Sequence, residues 1–259
     1  MQPPPSTATL RTADRALQVL QQFRRRGETR TVTEIATGLG LHRSTASRLV
    51  STLHARGFLE RASGESLRLG PETVRLGAIA IAGSELLAVA QPIMDALAQE
   101  TGEAVTLAVA AGAQVLTVAE ADGKHFVSSR NWIGVETPAH CAADGKVLLA
   151  FEALSPPSEP CARLTAATIT DGLSLQRELG QVRRRGFATA RGELEQGLNG
   201  VAVPIWSAGG CVAALCISGP EYRLHGAFER DLAPRCANAA GELQRRLVRE
   251  LDRAPRMTA

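Results

Sequence analysis

Thr31-Val-Thr-Glu-Ile-Ala-Thr-Gly-Leu-Gly-Leu-His-Arg-Ser-Thr-Ala-Ser-Arg-Leu-Val-Ser-Thr-Leu53 decides the reading of this chain. Its apolar residues fall into two helical stripes. Ile35, Ala36 and Leu39 form the first, and Ala46, Leu49, Val50 and Leu53, spaced i, i+3, i+4 and i+7, form the second. Gly38 and Gly40 break the chain between them, which is the sequence form of a helix-turn-helix. A second helix that buries its aliphatic stripe leaves Arg43, Ser44, Ser47, Arg48, Ser51 and Thr52 on the opposite face. All of these donate hydrogen bonds and none is acidic, so the face suits phosphates and base edges. An ordinary packed helix pair with a solvated face would share the pattern, and the flanking sequence separates the two.

On the N-terminal side, residues 12–26 predict a helix. Its buried stripe can run through Ala13, Leu17 and Leu20 or through Ala16, Leu20 and Phe23. Arg24, Arg25 and Arg26 would complement the dipole at its C-terminal end, or form a plain solvated charge run. Thr33 can cap the next helix; alternatively Thr31 and Glu34 form a capping box. On the C-terminal side, Gly57 is expected to end the second helix of the motif. Residues 58–61 and 67–70 alternate as strands about a turn at 62–66. Three helices and a hairpin make a winged helix-turn-helix over residues 10–70. Arg61 and Arg68 on the wing are within reach of phosphate or a minor groove, or are solvated strand residues.

Charge is unevenly placed along the chain. Residues 1–70 carry eleven arginines and no lysine against five acids, while the remainder carries eighteen bases against twenty-one acids. A cationic head on a neutral-to-acidic body fits nucleic-acid binding, and arginine grips phosphate or guanine through two donors at once. Nine aromatic residues in 259 give little support to stacking on single strands. Double-stranded DNA is therefore the expected partner. No apolar run reaches membrane-spanning length, so no membrane association is expected. The start lacks a basic-then-apolar leader, and residues 1–9, with Pro3, Pro4 and Pro5, read as a disordered tail. The five cysteines are odd in number and contain no Cys-x-x-Cys, which disfavours a disulfide framework or a zinc knuckle and favours a cytoplasmic protein.

The succession Arg15-Ala-Leu-x-Val-Leu20, Thr33-Glu-Ile-Ala36, Gly40-Leu-His-Arg-Ser-Thr-Ala-Ser-Arg-Leu-Val-x-Thr-Leu53, Arg56-Gly-Phe-Leu-Glu-Arg61 and Leu67-Arg-Leu-Gly70 resembles the head of an IclR-type bacterial transcriptional regulator. Further along, Pro138, His140, Gly145, Lys146, Leu149 and Ala150 match that family's loop leading into a helix. Glu193 to Trp206 resembles its signature segment. The resemblance spans about residues 10–253. It implies an α+β chain: the winged head, a linker helix at 71–83, and a GAF-like α/β effector-binding domain at 84–253. That second domain reads as a helix over 84–98, strands at 104–110, 115–121 and 126–128, a loop from Trp132 to Pro138, a helix ending at Arg185, paired strands up to 220, and a last helix at 227–251.

The resemblance also implies functional residues. Thr33, Arg43, Ser44, Thr45, Ser47, Arg48, Arg61 and Arg68 are the expected DNA contacts. Trp132, Ala143, Asp144, Ala190, Glu193, Cys216 and Ser218 are expected around a small-molecule effector, an aromatic or keto acid in many relatives. Cys216 and Ser218 are also explicable as strand packing. Asp144 departs from the family, which usually has a small or apolar residue there. A carboxylate at an anion site would repel a bare dicarboxylate unless Lys146 or Arg130 pairs it, or unless it bonds the helix amides itself. The implied protein is a homodimer or dimer of dimers that represses a catabolic operon.

Two rivals remain: an effector-blind assembly domain, and an enzyme built on the second half. For an enzyme the chemistry is thin. There is no dinucleotide or Walker loop, no His-Glu-x-x-His and no Gly-x-Ser-x-Gly. His140 and Cys141 are adjacent, which seldom gives a nucleophile–base geometry. No catalytic residue, metal or cofactor is expected.

Overall fold

The computed structural model describes residues 10–23, 27–82, 85–125, 132–157, 160–207 and 209–253. It divides into two compact units, 1–83 and 84–259.

The first unit begins with α1 (Arg11–Gln21), α2 (Val32–Gly38) and α3 (Arg43–Ala55). A two-stranded wing follows, β1 (Leu59–Arg61) antiparallel to β2 (Leu67–Leu69), and then α4 (Pro71–Ala82). The two stripes of the opening motif meet in one core: Ile35 and Ala36 from α2 and Ala46, Leu49, Val50 and Leu53 from α3, joined by Val19, Leu59 and Leu67. Of the two phases open to the first helix, the structure takes Ala16, Leu20 and Phe23 with Val19 between them, and leaves Leu17 60% exposed. That helix ends at Gln21, short of the expected residue 26, and residues 24–26 lie outside the described residues.

Thr31, not Thr33, caps α2. Its hydroxyl accepts from the Glu34 amide at 3.3 Å while the Glu34 carboxylate accepts from the Thr31 amide at 2.7 Å. The Thr31 hydroxyl also donates to Glu34 Oε2 at 2.9 Å, and the bonds from the Thr31 amide, first, and hydroxyl favour the ionised carboxylate and hold the Glu34 carboxyl below its usual range. Thr31→Ala is expected to remove about 1 kcal/mol of head stability, read as faster amide hydrogen exchange across residues 32–38 with little change elsewhere.

Gly57, at φ +76°, ends α3 where a side chain would be strained. Its carbonyl accepts from the Glu72 amide, so the first turn of α4 is tied to the wing. One pairing escaped the sequence: Arg30 exchanges both backbone bonds with Leu67, adding a one-residue third strand to the wing.

The second unit is a six-stranded antiparallel sheet between two helical layers. Its elements are α5 (Glu85–Thr101), β3 (Ala104–Ala111), β4 (Gln114–Ala121), β5 (Glu136–Pro138), α6 (Ala143–Ala150), α7 (Gly172–Arg185), β6 (Ala188–Arg191), β7 (Leu198–Ser207), β8 (Gly210–Pro220) and α8 (Glu229–Arg253). The strand order is β5-β4-β3-β8-β7-β6. Alternation along β8 explains the layering. Ala213, Leu215 and Ile217 join the core under α5 and α8, whereas Ala214 and Cys216 face α6 and α7.

Two elements correct the sequence reading. The expected loop at 132–138 ends in β5, which pairs with β4 through Glu136–Leu116 and Thr137–Val115. Three residues ending in proline carry no strand pattern, and Pro138 is tolerated because β5 is an edge. Ala188–Arg191 was not expected as a strand, yet β6 closes the other edge against β7. Its small residues have weak strand preference, and the long neighbouring strand supplies the pairing. The strand expected at 126–128 lies outside the described residues.

Candidate functional site

The outer face of α3 is as the motif requires. Arg43, Ser44, Ser47, Arg48, Ser51 and Thr52 are exposed, as is Thr33 on α2, while Thr45 is half-buried. His42 caps α3: its Nδ1 lies 3.4 Å from the Ser44 amide and 2.8 Å from Ser44 Oγ, which steadies Ser44. On the wing, Arg61 and Arg68 are both exposed. Arg68 Nε donates to Glu60 Oε1 at 2.6 Å across the hairpin, so it is already ion-paired, while Arg61 stands nearer the turn.

In the second unit the sheet and the first turn of α6 enclose a cleft of about 490 Å³, counting its open mouth. The floor consists of neighbouring rows across the sheet. Thr106 on β3 is opposite Cys216 on β8, and Ser218 on β8 is opposite Gly200 on β7, which is opposite Ala190 on β6. Small side chains along these rows leave room that valine or leucine would fill. Thr117 and Thr137 add hydroxyls at the walls, Leu194 and Leu198 add apolar surface, and Asn199 lines the cleft next to Gly200 while its side chain, on the other face of the sheet, donates to the Leu224 carbonyl.

Trp132 forms part of the wall because its amide donates to Glu120 Oε2 at 2.7 Å and the following turn bonds β4 through Gly134 N and Thr117 O at 2.8 Å. Burial pushes the Glu120 carboxyl above its usual range, and the bond from Trp132 opposes that shift.

Ala142, Ala143 and Asp144 bring the first turn of α6 to the cleft. Gly145 permits the approach: a Cβ there would lie 2.3 Å from the Ala139 carbonyl oxygen. Asp144 is 8% exposed, and its Oδ1 accepts from the Gly145 amide at 2.8 Å. The carboxylate therefore occupies a helix amide itself, one of the three arrangements left open by the sequence. Burial pushes its carboxyl up to about 6, and the two amide bonds hold it below where burial alone would put it.

Lys146 does not pair with Asp144. Two residues apart on a helix, the side chains point away from each other. Lys146, 1% exposed, instead donates to Glu193 Oε1 at 2.7 Å and to the Thr189 carbonyl at 3.0 Å. Arg130, the other suggested partner, lies outside the described residues.

Six of the seven residues expected around an effector, Trp132, Ala143, Asp144, Ala190, Cys216 and Ser218, line the cleft together. Glu193 does not line it. Its carboxylate is turned to Lys146, and its carbonyl accepts from Thr168 Oγ1 at 2.7 Å, so it anchors the segment that carries Leu194. Thr106, Thr117, Thr137 and Asn199 were missed, because only the strand register brings residues so far apart in sequence onto one surface.

His140 and Cys141 do not form a catalytic pair: His140 Nε2 lies 2.9 Å from the Ala162 carbonyl, and Cys141 Sγ donates to the Pro138 carbonyl. Burial first, then the charge of Glu193, pushes the Cys141 thiol up to about 12, far from a thiolate nucleophile. The five cysteines are unbridged. Among the described residues no cluster could hold a metal ion, and no helix is long and apolar enough to cross a membrane.

Residues 12–63 match the IclR helix-turn-helix domain, and residues 78–245 match the family described as bacterial transcriptional regulator IclR C-terminal. The HTH-type transcriptional regulator BhcR of Paracoccus denitrificans is 31% identical over 90% of this chain and 86% of its own length. The Pca regulon regulatory protein of Pseudomonas putida is 32% identical, over 79% of this chain and 72% of its own. Among solved structures, an IclR homolog from Microbacterium hydrocarbonoxydans complexed with 4-hydroxybenzoate is 31% identical, with a TM-score of 0.77 over 92% of this chain and 99% of that one. With a matched head, a matched second domain and relatives aligned across both, the chain belongs to the IclR family of DNA-binding bacterial transcriptional regulators.

Proposed function

We propose that this regulator acts in the cytoplasm as a repressor of a catabolic operon, released by a small organic effector of the aromatic- or keto-acid type. The observation that carries the reading is the cleft, in which small floor residues and a helix N-terminus come together beside Trp132. The Microbacterium relative complexed with 4-hydroxybenzoate supports an aromatic acid, and relatives named as transcriptional repressors, such as AllR of Escherichia coli, support the sign.

On DNA, Arg43, Ser44, Thr45, Ser47 and Arg48 enter the major groove, with Thr33 and the wing residues Arg61 and Arg68 at the backbone. The protein binds as a homodimer or dimer of dimers, on half-sites about 10 base pairs apart or a multiple of that. The effector shifts the spacing of the heads through α4, which requires that it bind one arrangement more tightly than the other.

The roles on DNA are separable. Arg43→Ala is expected to weaken binding to the cognate operator by about 1–3 kcal/mol and to relax sequence preference. Arg61→Ala should weaken cognate and scrambled DNA alike and reduce the salt slope by about 1. Fluorescence anisotropy across a salt series distinguishes them, and equal losses on both DNAs for both variants would contradict the assignment.

A further inference from the structure

The cleft lacks the group that a carboxylate ligand would seek. Among its described lining residues there is no lysine, arginine or histidine, and Asp144 is the one carboxylate. The amide of Gly145, which an incoming anion could use, is already taken by Asp144 Oδ1 at 2.8 Å. A ligand carboxylate placed at the first turn of α6 would therefore meet a buried like charge and lose an amide partner.

The other polar side chains of the lining, the hydroxyls of Thr106, Thr117, Thr137 and Ser218, can accept as well as donate, so none of them supplies the cation that a carboxylate would need.

We propose that the cleft recognises a hydrogen-bond donor on its ligand, a hydroxyl, amide or ammonium group presented to the Asp144 carboxylate, and that any carboxylate of the ligand points away from α6. The proposal rests on the reading of this cleft as the effector site and makes it more specific: the effector is a donor-bearing molecule, such as a hydroxylated aromatic, and a bare acid is excluded. At about pH 7.5 the Asp144 carboxyl is largely ionised even with its raised pKa, so it requires a donor more than it tolerates an anion.

Isothermal titration calorimetry on the full chain with 4-hydroxybenzoate, 4-hydroxybenzamide and benzoate tests this. The two hydroxylated probes are expected to bind at least about tenfold more tightly than benzoate, a difference of about 1.4 kcal/mol. In Asp144→Asn, which keeps the shape and the bond to Gly145, the ratio should fall severalfold, chiefly because benzoate binds better. Thermal melting of the variant establishes that it is folded, and Asp144→Ala gives the same comparison with the acceptor removed. Benzoate binding as tightly as the hydroxylated probes, or a ratio unchanged in both variants, overturns the donor proposal and leaves the cleft as an effector site. Failure of all three probes to bind the unaltered protein overturns the proposal together with the aromatic-effector reading beneath it.

Discussion

Lys146→Met is expected to destabilise the second unit by about 3–5 kcal/mol, as removal of one partner from a buried ion pair generally does. Lys146 is a fully buried side chain, and its ammonium sits 2.7 Å from Glu193 Oε1, with Glu178 Oε1 at 3.9 Å. Glu178 has Arg185 at 2.9 Å to compensate it. Glu193 has no second cation in these contacts, and its Oε2 is already without a hydrogen-bond partner among the described residues. Methionine would fill the volume, so the loss reads the stranded carboxylate and not a cavity. Lys146→Met combined with Glu193→Gln should recover part of the loss, because the charge left behind is then gone. Urea denaturation of the variants measures both quantities; a loss under about 1 kcal/mol for the single variant would show that the pair is solvated. Since Glu193 anchors the segment bearing Leu194, the single variant should also bind cleft ligands more weakly.

Asp144→Asn carries the opposite sign. It is expected to stabilise the protein by about 3 kcal/mol at neutral pH, at roughly 1.4 kcal/mol for each pH unit by which the folded pKa exceeds the ordinary one. Burial raises the Asp144 carboxyl from 3.8 to about 6. A raised acid pKa means that the unfolded chain gives up its proton first. The penalty is absent below about pH 4, grows between 3.8 and about 6, and is fully present above. Among the described residues no cation offsets it: Lys146 is turned to Glu193, and the neighbouring thiols of Cys141 and Cys216 are held neutral by burial. The advantage of the asparagine variant should therefore be largest above pH 6 and vanish near pH 4, as measured by denaturant midpoints at the two pH values. A variant less stable than the parent at neutral pH would mean that the carboxylate is compensated. A residue that lowers stability in a ligand cleft is the pattern expected when function, not packing, retains it.

The head was more legible in the sequence than the cleft, for a physical reason. Ala46, Leu49, Val50 and Leu53 form a helical stripe, and a stripe is a local pattern that survives folding unchanged. The capping box at Thr31 and Glu34 is equally local, and only its competition with Thr33 needed the structure. The cleft is built from register. Thr106 faces Cys216, and Gly200 faces Ser218 and Ala190, because antiparallel strands align them, and no spacing along the chain encodes that. The resemblance to known regulators located Trp132, Asp144 and Cys216 but placed Glu193 in the lining. Its partner Lys146 lies forty-seven positions away, and the two meet only once α6 has docked on the sheet. The short edge strands β5 and β6 escaped notice because pairing with β4 and β7, not their own composition, makes them strands.

The central claim is that occupancy of the cleft alters affinity for DNA. Its most direct test is an anisotropy titration of the full chain on DNA flanking its own gene, at two salt concentrations, with and without small hydroxylated aromatic and keto acids at concentrations that saturate the cleft by calorimetry. Salt-sensitive binding that survives competitor DNA, and a Kd that changes about fivefold or more with one of these ligands, is the predicted result. Specific binding left unchanged by a ligand that demonstrably fills the cleft would contradict it and make the second unit an effector-blind assembly domain.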